Sequence, residues 1–452
     1  MKSKNGYVTR VSLIVALGGF LMGFDASVIS GVIRFIEPQF ELTKIQLGWA
    51  VSCLTLTSTL AMLVSGPLSD KYGRRVVLRW AALLYTVSSL ASGLAPTFAF
   101  LVVARLLAGL GVGASLIVAP MYIAEISPAK IRGRMVSFNQ LNIVIGISTA
   151  FFTNYLLLQL AKSTSPFALS MHFAEYTWRW MLGVESIPAL LYFIFLFFVP
   201  NSPRWLAMNG QEEKAQQILS LSCGEEDASG IINAMKEDEK KSGKAKKARL
   251  ADLFKPALKL VLIIGIGIAI LQQITGINAV FFYAPMIFEQ TGIGADAAFS
   301  QAIFVGLTNL IFTIVAMWLI DKIGRKKLLI IGFSGILVSM VVLASSFAAA
   351  TYQINPQNIA SLTTLVPGAD WSSIQNTLFN SDTSFRAAIV NLIGEESAKV
   401  NLSAIVSQCI HINSWLVLIG IMGFVASFAI SVGPVMWVLF SELFPNAVRG
   451  IA

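Results

Sequence analysis

The sequence contains little charge and few cysteines, and it lacks the residue patterns of catalysis. Asp, Glu, Lys and Arg make up 13% of the 452 residues, about half the share in soluble globular domains, so an ordinary soluble fold is excluded. The three cysteines, Cys53, Cys223 and Cys409, show neither metal-ligand spacing nor a disulfide framework. The sequence shows no nucleophile–base pair, phosphate loop or metal cluster. We therefore expect no enzyme, no cofactor and no metal site.

The sequence is rich in long apolar runs. Hydrophobic residues make up 56% of the chain, and the mean hydropathy is +0.72. A run of about 18 apolar residues can cross a hydrocarbon core about 30 Å thick. The first run is too long for a signal peptide and lacks its cleavage site, so we expect it to be retained. The sequence predicts an all-α membrane protein with spans at about 10–32, 46–69, 77–95, 98–124, 135–160, 179–199, 257–289, 299–320, 327–350 and 412–441.

The basic residues are concentrated in alternate loops. Lys and Arg precede the first span and fill the loops between spans two and three, four and five, and eight and nine, whereas the other loops of the first half contain almost none. Positively charged loops stay in the cytoplasm. We therefore predict a multi-pass protein of the plasma (bacterial inner) membrane with a cytoplasmic amino terminus. Because the net charge of +9 reflects this pattern, we expect no nucleic-acid partner.

Two motifs occur twice in the chain, in the same order. GPLSDKYGRR (66–75) is echoed by AMWLIDKIGRKK (316–327), and EISPAKIRG (125–133) is echoed by ELFPNAVRG (442–450). Two repeated motifs in one order predict two homologous halves, as in transporters built from parallel repeats.

The repeat also divides the chain. We expect a six-helix first half at 1–205, a cytoplasmic helical linker at 206–255, and a second half at 256–452 with an extracellular insertion at about 351–411. The second half then has four of its six helices. We therefore expect a twelve-span protein whose last two helices are absent from this chain.

The repeated loops place both signs of charge at helix ends. An Asp, a Gly turn and paired basic residues recur together with the Glu and Arg of the second motif. Ion pairs between such groups can form in one conformation and break in another, so we predict a latch; static bracing is the alternative. The groups concerned are Asp70, Arg74, Arg75, Glu125, Arg132, Asp321, Arg325, Glu442 and Arg449.

One carboxylate, Asp25, lies in the middle of the first span. An ionised carboxylate there is costly unless it faces water or a cation. We interpret Arg105 as the only other ionisable residue deep in a first-half span, and a rise of about 1.5 Å per residue brings the two to similar height. Gly109 and Gly113 share a stripe with Arg105, and Gly18 shares a face with Asp25, so we expect these two helices to approach closely. We predict an ion pair that can exchange a proton; a static buried salt bridge is the alternative.

Three amides, Gln272, Gln273 and Asn278, interrupt the seventh apolar run. On a straight helix Gln273 and Asn278 would point about 140° apart and could not meet one small ligand. Gly276 can break the helix between them and turn Asn278 inward. Amides offer hydrogen-bond donors and acceptors without charge, which suits sugar hydroxyls, although a single amide can equally serve an interhelical hydrogen bond. Further candidates for the same site are Gln140, Asn309 and Trp437, whose indole can face a sugar ring.

Together these motifs resemble the sugar porter family of the major facilitator superfamily. The resemblance is carried by the two charged loops, by PMYIAEISPAKIRG (120–133), by PNSPRWL (200–206) and by QQITGIN (272–278). It implies the major facilitator fold and proton-coupled uptake of a monosaccharide by alternating access. It also implies that Asp25 and Arg105 couple the proton.

The resemblance further implies the site residues. The implied sugar contacts are Gln140, Gln272, Gln273, Asn278, Tyr283, Asn309 and Trp437. Glu185, near the inner end of span six, and Arg204 complete the predicted cytoplasmic gating set. The sequence departs from the family pattern at Asn201, where Glu is usual, and at Met22, Ile147 and Phe282 near the predicted sugar site.

Two other functions remain open from the sequence. A passive facilitator of the family typically has Asn at the position of Asp25, so Asp favours proton coupling. A sugar sensor that binds without transport would often have a long cytoplasmic tail, which the short amino terminus does not provide. A drug–proton antiporter lacks support because span five has no GPxxGP-type motif. We expect the partners to be a monosaccharide, a proton and the lipid bilayer, and the protein to be a monomer.

Overall fold

The computed structural model describes residues 2–128, 131–225, 228–232 and 254–443. Its helices are α1 Lys2–Gln39, α2 Lys44–Tyr72, α3 Arg74–Gly93, α4 Phe98–Ile126, α5 Arg132–Lys162, α6 Pro166–Ser170, α7 Thr177–Gly183, α8 Ser186–Phe195, α9 Pro203–Met208, α10 Glu212–Ser222, α11 Lys259–Ile274, α12 Ile277–Glu289, α13 Ala295–Ile323, α14 Arg325–Ala348, α15 Pro356–Leu365, α16 Asp382–Cys409, α17 Ser414–Ile430 and α18 Val432–Leu443. One antiparallel pair, β1 Thr351–Tyr352 and β2 Ile410–His411, joins the ends of the 351–411 segment.

Nine helical stretches in the described residues are long and apolar enough to cross a membrane. They account for nine of the ten predicted spans. The tenth, at 179–199, consists of α7 and α8, and the linking residues Val184 and Glu185 keep right-handed helical dihedrals. Pro188 explains the interruption, because it has no N–H to donate to the carbonyl of Val184 and its ring crowds that carbonyl.

The chain forms two compact units. Unit 1 comprises residues 1–271 and 436–452, and unit 2 comprises residues 272–435. This division by compactness is a different partition from the predicted halves and linker, and those boundaries stay a prediction.

The core of unit 1 is built where glycines let helix backbones approach. A Cβ on Gly23 would come 1.9 Å from the carbonyl oxygen of Ile143, so α1 lies directly against α5. The same test at Gly109 gives 2.3 Å to the carbonyl oxygen of Leu54 on α2. The expectation that Gly109 and Gly113 bring α4 close to α1 is therefore wrong: their stripe faces α2. Only Gly18 makes the expected approach, towards Ser115 of α4.

A helix is broken near the start of unit 2. Gly276 adopts a left-handed backbone (φ +84°) and separates α11 from α12, as the sequence predicts. α13 and α17 pack against α12, and α14 packs against α17. The 351–411 segment has a hydrophobic core of its own that includes Tyr352, Trp371 and Phe385.

Candidate functional site

Asp25 and Arg105 form an ion pair inside unit 1. Arg105 Nη1 lies 3.1 Å from Asp25 Oδ1, and both residues are almost fully buried, with 3% exposure for Asp25 and 2% for Arg105. Arg105 Nε also donates to the carbonyl oxygen of Ala50, at 2.9 Å. The predicted pairing is present, and it joins α1, α2 and α4 through one guanidinium. Removal of either charge would leave the other buried without its counter-charge, so this site can respond to a single proton.

Glu185 belongs to this buried charge cluster, which the sequence analysis missed. It is 3% exposed, and its charge interacts with those of Asp25 and Arg105. Within the described residues, Glu185 Oε1 has no hydrogen-bond partner. The sequence analysis placed Glu185 near the inner end of span six. The structure places it at the junction of α7 and α8, where its charge interacts with the Asp25–Arg105 pair.

The cluster has more acidic groups than basic ones. Two carboxyl groups and one guanidinium lie in an interior where an uncompensated charge is expensive. Arg105 can neutralise one carboxylate, so the cluster is neutral when the other carboxyl holds a proton. The cluster can therefore hold a proton and release it when its surroundings change.

Three amides meet at the helix break of unit 2. Gln273 Nε2 donates to Gln272 Oε1 at 2.9 Å, and Asn278 Nδ2 donates to Gln273 Oε1 at 2.8 Å. The turn at Gly276 makes this possible, because it brings Asn278 back towards the end of α11. Gln272 is 7% exposed, whereas Gln273 and Asn278 are exposed. The predicted convergence of these amides is present, and their remaining donors and acceptors can bind hydroxyl groups.

The other predicted sugar contacts lie on several helices. Asn309 is buried in α13, and Tyr283 is half-buried in α12. Gln140 is half-buried in α5 of unit 1. The backbone of Trp437 lies in α18, and its side chain lies outside the described residues. That all of these residues contact one ligand stays a prediction.

The first charged loop forms a compact ionic cluster in unit 1, which we call the Arg74 cluster (Asp70, Arg74, Glu125 and Ser202). Arg74 Nη2 lies 2.8 Å from Asp70 Oδ1 and 2.9 Å from Glu125 Oε1. Arg74 Nη1 donates to the carbonyl oxygen of Ser69 at 3.2 Å. Ser202 donates its hydroxyl hydrogen to Glu125 Oε2. The predicted contacts within this loop are therefore present, with Ser202 as an addition.

The second charged loop repeats the turn of the first. Gly73 has φ +93° and ψ 146°, and Gly324 has φ +87° and ψ 153°. Arg325 Nη1 donates to the carbonyl oxygen of Ile320 at 3.3 Å, which matches the bond from Arg74 to Ser69. Here the repeated sequence produces a repeated geometry.

The remaining gating candidates lie apart from these contacts or outside the description. Arg75 Nη1 donates to the carbonyl oxygen of Val199 at 3.2 Å, while Arg132 and Arg204 are exposed. The side chains of Asp321 and Glu442, and the whole of Arg449, lie outside the described residues.

Ser202 and Trp205 are contacts of the Arg74 cluster that the sequence analysis missed. Ser202 caps α9, since its hydroxyl accepts from the Trp205 backbone N–H, and Pro203 follows at the first helical position. Ser followed by Pro is a helix-start signal that could have located this helix. No local pattern predicts that the helix docks on a loop more than a hundred residues earlier.

A family model described as "Sugar (and other) transporter" matches residues 11–366 and 387–452. The chain belongs to the sugar transporter family. Sequence relatives agree with this placement. An arabinose-proton symporter of Bacillus subtilis is 33% identical over 99% of this chain and 81% of its own length. A D-xylose-proton symporter of Escherichia coli is 32% identical over 99% of this chain and 82% of its own length.

Solved structures of the family have the same fold. The xylose transporter of E. coli, in a partially occluded inward-open conformation, matches with a TM-score of 0.71 and 30% identity, over 98% of this chain and 89% of that chain. Another structure of this symporter is described as a major facilitator superfamily protein. The predictions of a major facilitator fold and of a sugar porter are confirmed, and the protein is a multi-pass membrane transporter, not an enzyme.

Proposed function

We propose that the protein takes up a monosaccharide, a pentose or a hexose, together with a proton across the bacterial inner membrane. The named activities of the arabinose and xylose symporters support this proposal. The single observation that carries it is the buried Asp25–Arg105 pair. Burial of ionisable side chains inside a span costs free energy, so such residues are rare and mark the pathways of protons, ions or substrates. The amino terminus and the Arg74 cluster are assigned to the cytoplasmic side by the placement of basic loops.

Protonation of Asp25 is the coupling step in this proposal. The proton cancels the negative charge that holds Arg105, and the guanidinium can then turn towards another acceptor. Glu185 supplies such an acceptor within the same cluster. Proton gain and loss at Asp25 are thereby linked to the arrangement of α1, α2 and α4, which the arginine joins.

The amides of the broken helix bind the sugar in this proposal. Gln272, Gln273 and Asn278 already bond to one another, so a sugar hydroxyl can replace one of these bonds without leaving an amide unsatisfied. The uncharged site favours a neutral polyol over an ionic substrate.

The Arg74 cluster acts as the cytoplasmic latch. Its four side chains come from different elements: the end of α2, the start of α3, the end of α4, and the residue before α9. A buried arginine that serves two carboxylates can hold these ends together in the outward-facing state and release them when the site opens inward.

Accumulation of labelled sugar in proteoliposomes tests the function. The full-length protein is reconstituted, an inward proton gradient is imposed, and D-xylose, D-glucose, D-galactose and L-arabinose are compared. We expect at least one of them to reach a higher concentration inside than outside, and a protonophore to abolish the difference. Equilibration without accumulation would establish a passive facilitator, and binding without entry would establish a sensor; either result contradicts the proposal.

A further inference from the structure

Helix α9 lies on the turn between α2 and α3 in unit 1. Trp205 Nε1 donates to the carbonyl oxygen of Asp70, at 3.0 Å. Three residues earlier, Ser202 donates its hydroxyl hydrogen to Glu125 and accepts from the backbone N–H of Trp205. One short segment therefore contacts both acidic residues that pair with Arg74.

The indole of Trp205 also covers the glycine of the turn. A Cβ on Gly73 would lie 3.3 Å from Trp205 Cε2 and 3.4 Å from Cδ2, so the ring lies against the backbone at this point. Gly324, the equivalent glycine of unit 2, has the same backbone conformation, and among the described residues no atom lies within 4 Å of the corresponding position. The turns at Gly73 and Gly324 therefore have the same backbone geometry, but only the turn at Gly73 is in contact with the Trp205 indole.

We propose that Trp205 is a positioning residue of the cytoplasmic latch: it holds the α2–α3 turn so that Arg74 reaches both Asp70 and Glu125. The hydrogen bond fixes the carbonyl of Asp70, and the ring fixes the glycine that follows. The side chain of Asp70 is exposed, so its ion pair with Arg74 alone restrains it only weakly. The effect on transport rests on the proposed function; the contact itself does not.

Transport from the two sides of the membrane tests the effect on the latch. Trp205→Ala removes both contacts, and Trp205→Phe keeps a ring but removes the N–H donor. A loosened latch favours the inward-facing state, so the half-saturating sugar concentration rises for outside entry and falls for inside entry. We expect shifts of about fivefold in Trp205→Ala and smaller shifts in Trp205→Phe. A purely structural role would lower the maximal rate from both sides and leave both half-saturating concentrations unchanged, which would overturn the proposal.

A comparison of glycine variants tests the contact without transport. Gly73→Ala and Gly324→Ala place the same side chain on the same positive-φ backbone, and only Gly73→Ala meets the indole. We expect a lower thermal unfolding midpoint for Gly73→Ala than for Gly324→Ala, and we expect the difference to disappear when both are made in Trp205→Ala. A difference that persists without the indole would refute the contact. If the glycine result holds while the wild-type protein fails to transport sugar, the proposed function fails and the contact stands.

Discussion

The two units bury different kinds of polar side chain. Among the described residues of unit 1, four charged residues are buried: Asp25, Arg74, Arg105 and Glu185. Among the described residues of unit 2, the buried polar side chains are all uncharged: Gln272, Thr291, Thr308, Asn309, Thr313, Ser339, Ser346 and Ser431. The two units therefore share the backbone of the repeated loop turn but differ in the charge of their buried polar side chains. In the proposed function, the buried charges of unit 1 bind and release the proton, and the uncharged polar side chains of unit 2 bind the neutral sugar.

Neutralising Asp25 should have the largest effect on proton coupling. We expect Asp25→Asn to abolish proton-driven accumulation while sugar exchange stays measurable, because Asn can still accept a hydrogen bond from Arg105 but cannot take up a proton. The measurement is the ratio of internal to external labelled sugar under a proton gradient.

Glu37→Gln is the matched control for that variant. It removes a carboxylate from the same helix, where Glu37 pairs with Lys44 at the surface, and we expect wild-type accumulation. Full accumulation in Asp25→Asn, or its loss in Glu37→Gln, would remove the special role of the buried pair.

The thiol of Cys409 tests whether the 351–411 segment of unit 2 has a closed core. Burial raises the pKa of this thiol to about 11, and Asn358 partly offsets the effect through a hydrogen bond. The reactive thiolate is then lost below that pH, so at pH 8 alkylation of Cys409 should be about 100-fold slower than that of an ordinary exposed thiol. Mass spectrometry after timed alkylation measures the rate, with half-buried Cys223 as the internal comparison. Equal rates at the two cysteines would show that the core opens readily.

Truncation of an amide side chain tests whether unit 2 binds the sugar. We expect Gln272→Ala to weaken sugar binding about tenfold, since a lost hydrogen bond costs about 1 to 1.5 kcal/mol. Proton coupling should survive at saturating sugar. Gln290→Ala, in an exposed amide just after α12, serves as the control and should bind normally. Isothermal titration of detergent-purified protein gives the affinities, and unchanged binding in Gln272→Ala would exclude it from the site.

Arg74 and Arg325 occupy equivalent positions in the two loops, and their replacement should change the stability of the protein by different, smaller amounts. Arg74→Gln removes a buried guanidinium and leaves Glu125, whose side chain is 8% exposed, without its ion-pair partner, and the loss of such a partner costs about 3 kcal/mol. Arg325 is half-buried, so we expect Arg325→Gln to cost less, about 1 kcal/mol. Thermal unfolding midpoints of the two variants measure the difference. Equal midpoints would mean that the loops of the two units contribute alike.

Sequence reasoning worked best where local chemistry determines the structure. Gly276 among bulky amides predicted the helix break, and the break explains how Gln273 and Asn278 meet. The cost of an acid in a span predicted a partner for Asp25, and only a few cations were available. Repeated loop motifs predicted repeated turns at Gly73 and Gly324.

Sequence reasoning failed where the answer depends on packing between distant elements. Gly109 and Gly113 form a clear stripe, but a stripe does not say which neighbour it faces, and the neighbour is α2. The interaction of Glu185 with Asp25 and Arg105 was missed because it joins helices that are far apart in the sequence. The docking of Trp205 on Gly73 joins segments that no short-range pattern connects.

Sugar-induced proton movement tests most directly whether Asp25, the buried acid of α1, couples a proton to the sugar. Sugar is added to proteoliposomes that have no membrane potential and no pH gradient, and the external pH is recorded. We expect sugar entry to make the external medium more alkaline with the wild-type protein and to leave the external pH unchanged with Asp25→Asn. Sugar entry without a pH change in the wild type, or an equal pH change in both proteins, would contradict this coupling.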